Sequence, residues 1–291
     1  MSVVNINAGP IHYEQAGPEE GRPVVFVHGY SMGSSLWRPL SERLAGKGFR
    51  CIAPTWPLGA QPEPMNEDAE LTMESVAAMV GELLEALSLE DVVLVGNDTG
   101  GAVAQILATT TPERLGALVL TSCDAFDHFP PPILKPFIAA AKAGPAFDVA
   151  IQPLRTGIGR KRAFGALAFA DIDDLVKEWL RPALTDRRVR SDIQRFTASL
   201  EQQSTIRAAE RLPGFDKPAL IAWSADDAFF ALEDGHRLAE ALPDSRFEVI
   251  DRSRTFSMID QPDVLATLIG DFASDHRPGG HATTRESALN T

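Results

Sequence analysis

Asp98 stands where an apolar run gives way to a turn rich in glycine. Val92 to Val95 has the pattern of a strand buried on both faces, Ala102 to Ala108 has that of a helix, and Gly96-Asn97-Asp98-Thr99-Gly100-Gly101 lies between them. A bend this sharp needs small residues on both sides of its tip, because the backbone is strained and passes close to the helix. A carboxylate at such a tip can attack carbon to form an ester, or it can remove a proton. Asp98 is therefore the first catalytic candidate.

Three further motifs accompany this bend in a recognisable chain order. They are His28-Gly29-Tyr30, Trp223-Ser224-Ala225-Asp226-Asp227 and the stretch from Ser253 to Pro262. With the bend as nucleophile elbow, they resemble the α/β-hydrolase fold superfamily from about Ile11 to Phe272. The resemblance implies an α/β fold with a mostly parallel, doubly wound, eight-stranded sheet and an inserted helical lid.

The resemblance also implies roles for several residues. In the family, two backbone N–H groups form an oxyanion hole, and in this sequence they belong to Tyr30 and Thr99. His28 and Gly29 are the motif residues that precede Tyr30, and Asp227 takes the place of the catalytic acid.

The largest departure from the family lies after the last predicted strand. Family members carry a histidine there, but Phe256, Asp260 and Pro262 hold the register and Thr255 occupies the histidine's place. A threonine hydroxyl can orient a water molecule but cannot deprotonate one near neutral pH. His128, at the start of the lid, is one candidate for a relocated base, and Asp124 is an alternative position for the acid.

An aspartate at the elbow resembles the haloalkane dehalogenase and epoxide hydrolase branches of the family. Dehalogenases commonly bind the halide with an Asn after His-Gly and a Trp after the nucleophile, and those places hold Tyr30 and Thr99. Epoxide hydrolases use lid tyrosines to protonate the epoxide, whereas the two tyrosines here, Tyr13 and Tyr30, lie outside the predicted lid. Neither branch is matched in full.

Three functional hypotheses follow. The first is a hydrolase of a small to medium hydrophobic substrate, with Asp98 acting in a site that has no histidine. The second is a lyase, isomerase or cyclase in which Asp98 serves as general base. The third is a protein that only binds a ligand and has lost catalysis.

The elements that must position these residues alternate between strand and helix. Apolar runs such as Pro23 to Val27 and Ala219 to Trp223 predict buried parallel strands, and Thr72 to Leu87 predicts an amphipathic helix. We predict a core of residues 1–123 and 213–275 around a helical lid of residues 124–212, followed by a disordered tail of residues 276–291.

Composition narrows the partners. A net charge of −13 disfavours binding to nucleic acids and to anionic membranes. No long apolar run or secretory signal is visible, and the two cysteines suggest free thiols, so we expect a cytoplasmic protein. Neither a metal motif nor a dinucleotide fingerprint is present, so no cofactor is expected. A small hydrophobic molecule is the expected partner, and a homodimer is left open.

Overall fold

One eight-stranded sheet runs through the part of the chain that the computed structural model describes, residues 1–277. Its strands are β1 (Ser2–Ile6), β2 (Gly9–Ala16), β3 (Pro23–Val27), β4 (Arg50–Thr55), β5 (Val92–Asp98), β6 (Leu115–Cys123), β7 (Ala219–Ser224) and β8 (Ser245–Ile250). They lie in the order β1-β2-β4-β3-β5-β6-β7-β8. The pairs β1–β2 and β2–β4 are antiparallel and the other pairs are parallel, which confirms the predicted fold.

The helices of the same residues are α1 (Arg38–Gly46), α2 (Met73–Ala86), α3 (Thr99–Thr110), α4 (Lys135–Lys142), α5 (Ala146–Ala150), α6 (Gly157–Phe164), α7 (Asp173–Thr185), α8 (Arg187–Ser199), α9 (Gln202–Arg211), α10 (Leu232–Ala241), α11 (Ser257–Asp260) and α12 (Pro262–Asp275). Short 3₁₀ turns occupy Ser34–Trp37, Phe126–His128, Pro132–Leu134, Gln152–Arg155 and Leu212–Gly214. Between β6 and β7, over the stretch assigned to the lid, every regular element is helical.

The central strands are mostly apolar because both faces of the sheet are covered. Along β3, Val25 and Val27 face one hydrophobic cluster with α2 and α3, while Val24 and Phe26 face a second cluster with α1 and α12. All four side chains are fully buried. This rigid sheet ends, at the carboxyl side of β5 and β6, in the residues that form the candidate site.

The helix after the elbow begins at Thr99, three residues earlier than the sequence pattern predicted. The cause is local, since the Asp98 side chain accepts a hydrogen bond from the Thr99 N–H and so caps the helix. No helix within residues 1–277 is long and apolar enough to cross a membrane. Of the predicted tail, residues 278–291 lie outside the described residues.

Candidate active site

Asp98 forms the tip of a tight bend between β5 and α3. Its backbone has φ of 55° and ψ of −135°, a conformation that residues other than glycine rarely adopt. The bend presses α3 against β3, and a Cβ at Gly100 would lie only 2.2 Å from the Val27 carbonyl oxygen. Only glycine fits there, so the turn predicted from sequence is dictated by close packing.

The two predicted oxyanion-hole amides converge on Asp98 itself. Asp98 Oδ1 accepts hydrogen bonds from the Thr99 N–H at 2.7 Å and the Tyr30 N–H at 3.1 Å. A Cβ at Gly29 would lie 2.1 Å from the same oxygen, so the adjoining loop approaches the carboxylate as closely as a glycine allows. Asp98 Oδ2 accepts no hydrogen bond from residues 1–277. One carboxylate oxygen is thus held by two amides and the other is left available.

Asp124 lies directly beside Asp98, at the end of the neighbouring strand. Its backbone N–H donates to the Asp98 carbonyl oxygen at 3.3 Å. The Thr99 hydroxyl donates to Asp124 Oδ2 at 2.9 Å, while the Thr99 amide holds Asp98. Thr99 therefore bridges two carboxyl groups, one through its backbone and one through its side chain.

The pKa values of Asp98 and Asp124 are both raised, by burial and by nearby negative charge. Burial raises the pKa of Asp98 to about 6, against the lowering effect of the Thr99 and Tyr30 amides, and the charge of Asp227 raises it further. Burial and the negative charge of Asp98 raise the pKa of Asp124 well above its ordinary value. Because each negative charge opposes the other, the two raised pKa values favour a pair that carries a single negative charge near neutral pH.

Asp227 and Thr255 form a second pair, apart from the cavity. The Thr255 hydroxyl donates to Asp227 Oδ1 at 3.0 Å, and the same oxygen accepts from the Phe229 and Phe230 N–H groups. Asp227 Oδ2 is buried without a partner among residues 1–277, and burial raises the pKa of this carboxyl group. Neither Asp227 nor Thr255 lines the cavity that Asp98 faces.

His28 has a structural environment. Its Nε2 accepts from the Trp56 N–H at 2.8 Å, which assigns the ring proton to Nδ1, 3.0 Å from the Gly29 carbonyl oxygen. Burial lowers the pKa of His28 to about 4, so the ring is neutral at physiological pH. It fixes the loop that carries Gly29 and Tyr30.

His128 does not reach the site. Its Nδ1 lies 2.7 Å from Asp234 Oδ2, on the side of α10, and its ring does not line the cavity. The structure therefore does not bring His128 to Asp98, because the buried acid Asp234 attracts it elsewhere. The other described histidines are also engaged: His12 with Glu63, His236 against Phe247 and His276 with the Phe272 carbonyl. Within residues 1–277, no histidine is hydrogen-bonded to Asp98, and His281 lies outside that range.

A cavity of about 130 Å³ lies over Asp98. Its polar wall consists of Asp98, Thr99, Asp124, Tyr30 and Ser31. The remaining walls are apolar: Met32, Pro131, Ile133, Leu134, Phe137, Phe147, Ile151, Leu154, Ala163, Phe164, Leu167, Leu180, Ala183, Leu184, Ile193, Phe229 and Phe230. Its volume is close to that of engineered apolar cavities, about 150 Å³, that bind benzene. The cavity therefore has room for a small apolar group beside two carboxyl groups.

The Tyr30 hydroxyl is hydrogen-bonded to Thr197 on α8. Thr197 donates its hydroxyl proton to the Ile193 carbonyl oxygen at 2.6 Å, so the Tyr30 hydroxyl must donate to Thr197 Oγ1, which lies 2.6 Å away. Burial raises the pKa of Tyr30 to about 12. This hydroxyl is therefore a poor acid, and its proton points away from a reactant in the cavity.

The sequence indicated Asp124 and Thr99 as candidate site residues, but it did not indicate that their side chains are hydrogen-bonded to each other. The available signal was positional, because Asp124 follows the strand next to the one that ends at Asp98, and ends of adjacent parallel strands meet. Within residues 1–277 no group of three or more His, Cys, Asp or Glu side chains is arranged to hold a metal ion.

Comparison with known proteins gives consistent matches. Residues 22–262 match the family model described as alpha/beta hydrolase fold. The 2-hydroxy-6-oxononadienedioate/2-hydroxy-6-oxononatrienedioate hydrolase 1 of Pseudomonas putida is 25% identical over 90% of this chain and 91% of its own length. The solved structure of a thermophilic esterase from Thermogutta terrifontis has a TM-score of 0.76 at 22% identity, over 95% of this chain and all of that one. The structure of the epoxide hydrolase CorEH has a TM-score of 0.75 at 20% identity, over 95% of this chain and 99% of that one.

Proposed function

The chain belongs to the alpha/beta hydrolase fold family, and on that premise we propose that it hydrolyses small apolar epoxides through an ester of Asp98, with Asp124 as the proton donor. The observation that carries this proposal is the geometry of the Asp98 carboxylate: two backbone amides hold one oxygen, and the other oxygen accepts no hydrogen bond from residues 1–277 while the Asp124 carboxyl group lies beside it.

The occupied amides restrict the reaction type. Hydrolysis of an ester or a ketone by this fold places the substrate's own oxyanion on these two N–H groups. In this chain Asp98 Oδ1 already accepts both bonds. Attack by Oδ2 on a saturated carbon leaves Oδ1 where it is, as the carbonyl oxygen of the new ester. The geometry therefore favours a substrate attacked at saturated carbon.

The leaving group selects among such substrates. A departing halide needs N–H donors, and the tryptophan side chains that could supply them do not line the cavity. An epoxide oxygen needs a proton instead. The Tyr30 hydroxyl cannot give one, since it donates to Thr197, but a neutral Asp124 can. An epoxide is thus the substrate class that fits both carboxyls.

The proposed cycle conserves atoms and protons. Asp98 Oδ2 bonds to an epoxide carbon as the carbon–oxygen bond of the ring breaks, and the Asp124 proton moves to the oxygen released. The Asp124 carboxylate then takes a proton from water, whose oxygen attacks Asp98 Cγ. The tetrahedral intermediate places its negative oxygen on the Tyr30 and Thr99 amides. Its collapse releases a diol and restores both aspartates to their starting states.

A single-turnover experiment in water labelled with heavy oxygen tests the proposal. With enzyme in excess over styrene oxide, the first diol should carry no label, and the label should enter the Asp98 carboxylate, as read by mass spectrometry of the peptide. Asp98→Asn should form no diol. The exposed Asp226→Asn is the matched control and should behave as wild type. Absence of both diol and adduct across a panel of small apolar epoxides would refute the proposal.

A second function is favoured by one observation, the lack of any histidine contact to Asp98 within the described chain. Without an imidazole base, Asp98 can serve as general base in a reaction that needs no water, such as an isomerisation or an elimination. The labelling experiment separates the two candidates. Product that forms without any label in Asp98, and without an adduct of the mass of one epoxide, supports the general-base function.

A further inference from the structure

A second depression, of about 460 Å³, opens beside the cavity at the seam between α6, α7 and the loop before Thr255. Its walls are Gly157, Arg160, Lys161, Phe164, Gly165, Ala168, Phe169, Ala170, Asp171, Ile172, Asp173, Val176 and Arg254. We propose that it binds the carboxylate of an amphipathic substrate whose apolar part fills the cavity over Asp98. This inference rests on the proposed function and extends its substrate class from small apolar epoxides to epoxides whose apolar part also carries a carboxylate.

The charges around the depression leave cations without partners. Arg160 is neutralised by Asp173, with two hydrogen bonds of 2.7 and 2.8 Å. The side-chain nitrogens of Lys161 and Arg254 have no carboxylate oxygen within 4.0 Å among residues 1–277. The remaining acid among the wall residues is Asp171, whose Oδ1 accepts from the Asp173 N–H at 3.0 Å. Behind the wall, the Asp260 carboxylate is held by the backbone N–H groups of Phe169, Ala170 and Arg254. Among the wall residues themselves, two cations without an ion-pair partner face one such acid, and this excess favours an anionic ligand.

Arg254 is already oriented for such a guest. Its guanidinium lies 4.2 Å above the centre of the half-exposed Phe169 ring, and Nη1 donates to the Ala168 carbonyl oxygen at 3.2 Å. The Arg254 backbone N–H is bonded to Asp260, which fixes the base of the side chain. These contacts leave Nε and Nη2 of Arg254 without a bond to the described residues, a pair of donors that matches a carboxylate.

A wall one side chain thick separates the depression from the cavity. Among residues 1–277, Phe164 is the one residue that lines both the cavity and the depression. On either side of it, Ala163 and Leu167 face the cavity, whereas Gly165 and Ala168 face the depression. A molecule that spans the two spaces must therefore displace the Phe164 ring, with one end in the cavity that Asp98 lines and the other in the depression that Arg254 lines.

The chemistry of the cavity requires the charge of such a substrate to stay outside it. The cavity contains Asp98 and Asp124 and no lysine or arginine, so a second carboxylate inside it would meet repulsion without compensation. The depression has the opposite balance. The two spaces together suit a molecule with a small apolar end and an anionic end.

Calorimetric titration with octanoate and its neutral analogue octanamide tests the inference. The protein should bind octanoate about tenfold more tightly than octanamide, as expected for a hydrogen-bonded ion pair, and added salt should reduce this preference. Arg254→Gln should abolish the preference and Lys161→Gln should reduce it. The exposed Arg252→Gln and Lys177→Gln, which lie outside the depression, are matched controls and should retain it.

Equal affinity for octanoate and octanamide in the wild-type protein would overturn the inference, as would an unchanged preference in folded Arg254→Gln. If Arg254→Gln does not fold, Lys161→Gln decides alone, because Lys161 is exposed. The titration measures binding and can be repeated with Asp98→Asn, which cannot form the ester. If the protein turns over no epoxide but still prefers octanoate to octanamide, only the proposed function is refuted. If it turns over epoxides but shows no such preference, only this inference is refuted.

Discussion

Thr255 donates its hydroxyl to Asp227 across 3.0 Å, and the two side chains meet behind the cavity rather than within it. The contact satisfies one oxygen of a half-buried acid but provides no group that can carry a proton to Asp98. The other oxygen of Asp227 is buried and lacks a partner in the described chain. Among the described residues, Asp227 therefore has no neighbouring side chain that could carry a proton between it and Asp98.

Thr255→His should accelerate hydrolysis of the Asp98 ester by about 100-fold, because an imidazole beside Asp227 adds a stronger general base than the Asp124 carboxylate. Single-turnover decay of the ester, followed by intact-protein mass spectrometry, measures this rate. Thr255→Val is the control: it keeps the shape, should leave the decay rate unchanged and should lower the free energy of unfolding by about 1–2 kcal/mol. A folded histidine variant with an unchanged ester lifetime would contradict the assignment of position 255.

The rate of epoxide opening should have a bell-shaped dependence on pH. Activity should rise as Asp98 ionises around pH 6 and fall when Asp124 loses its proton, at a pH well above the ordinary range of an aspartate. Asp124→Asn should remove the proton donor and lower kcat/KM by about 100-fold to 1000-fold. A variant that keeps both full activity and the falling limb would show that another group gives the proton.

Asp98→Asn should raise the free energy of unfolding, and the gain should grow with pH. The pKa of Asp98 is 3.8 before shifting and about 6 in the fold, so the folded state holds the proton more tightly. Its contribution to stability is complete below about pH 4 and is lost as pH rises through about 6, a change of up to about 3 kcal/mol. Urea unfolding of both proteins between pH 4 and pH 7 measures the difference. A similar gain in the exposed Asp226→Asn would attribute it to net charge instead.

Gly29→Ala should abolish activity by displacing the Asp98 carboxylate. The added Cβ would lie 2.1 Å from Oδ1, so the carboxylate must leave the Tyr30 amide or the loop must move. We expect at least a 100-fold loss of activity, as for removal of one oxyanion donor. Gly46→Ala, whose added Cβ meets nothing within 4 Å, is the matched control and should keep full activity. Equal activity of the two variants would show that activity does not depend on the position of the Asp98 carboxylate against the Tyr30 amide.

The sheet and the elbow were predictable because they depend on local patterns. Continuous apolar runs such as Val92 to Val95 indicate strands buried on both faces, and glycines around Asp98 indicate a close-packed turn. The amides of Tyr30 and Thr99 could be assigned because two motifs fixed their positions in the chain.

Contacts between distant residues were not predictable in the same way. The Thr99–Asp124 bond joins residues 25 positions apart, and the His128–Asp234 contact joins residues 106 apart. Such contacts are decided by how lid and sheet pack together, which periodicity does not record. His128 illustrates this point, since its place in the sequence suggested the cavity, whereas a buried acid on α10 holds its ring.

Tyr30 connects Asp98 to α8. Its amide donates a hydrogen bond to Asp98 Oδ1, and its phenol donates to Thr197 on α8. A movement of α8 away from the sheet would therefore displace the residue whose amide holds the carboxylate. Under the proposed function, the opening of the cavity to substrate and the reactivity of Asp98 are coupled through this one residue.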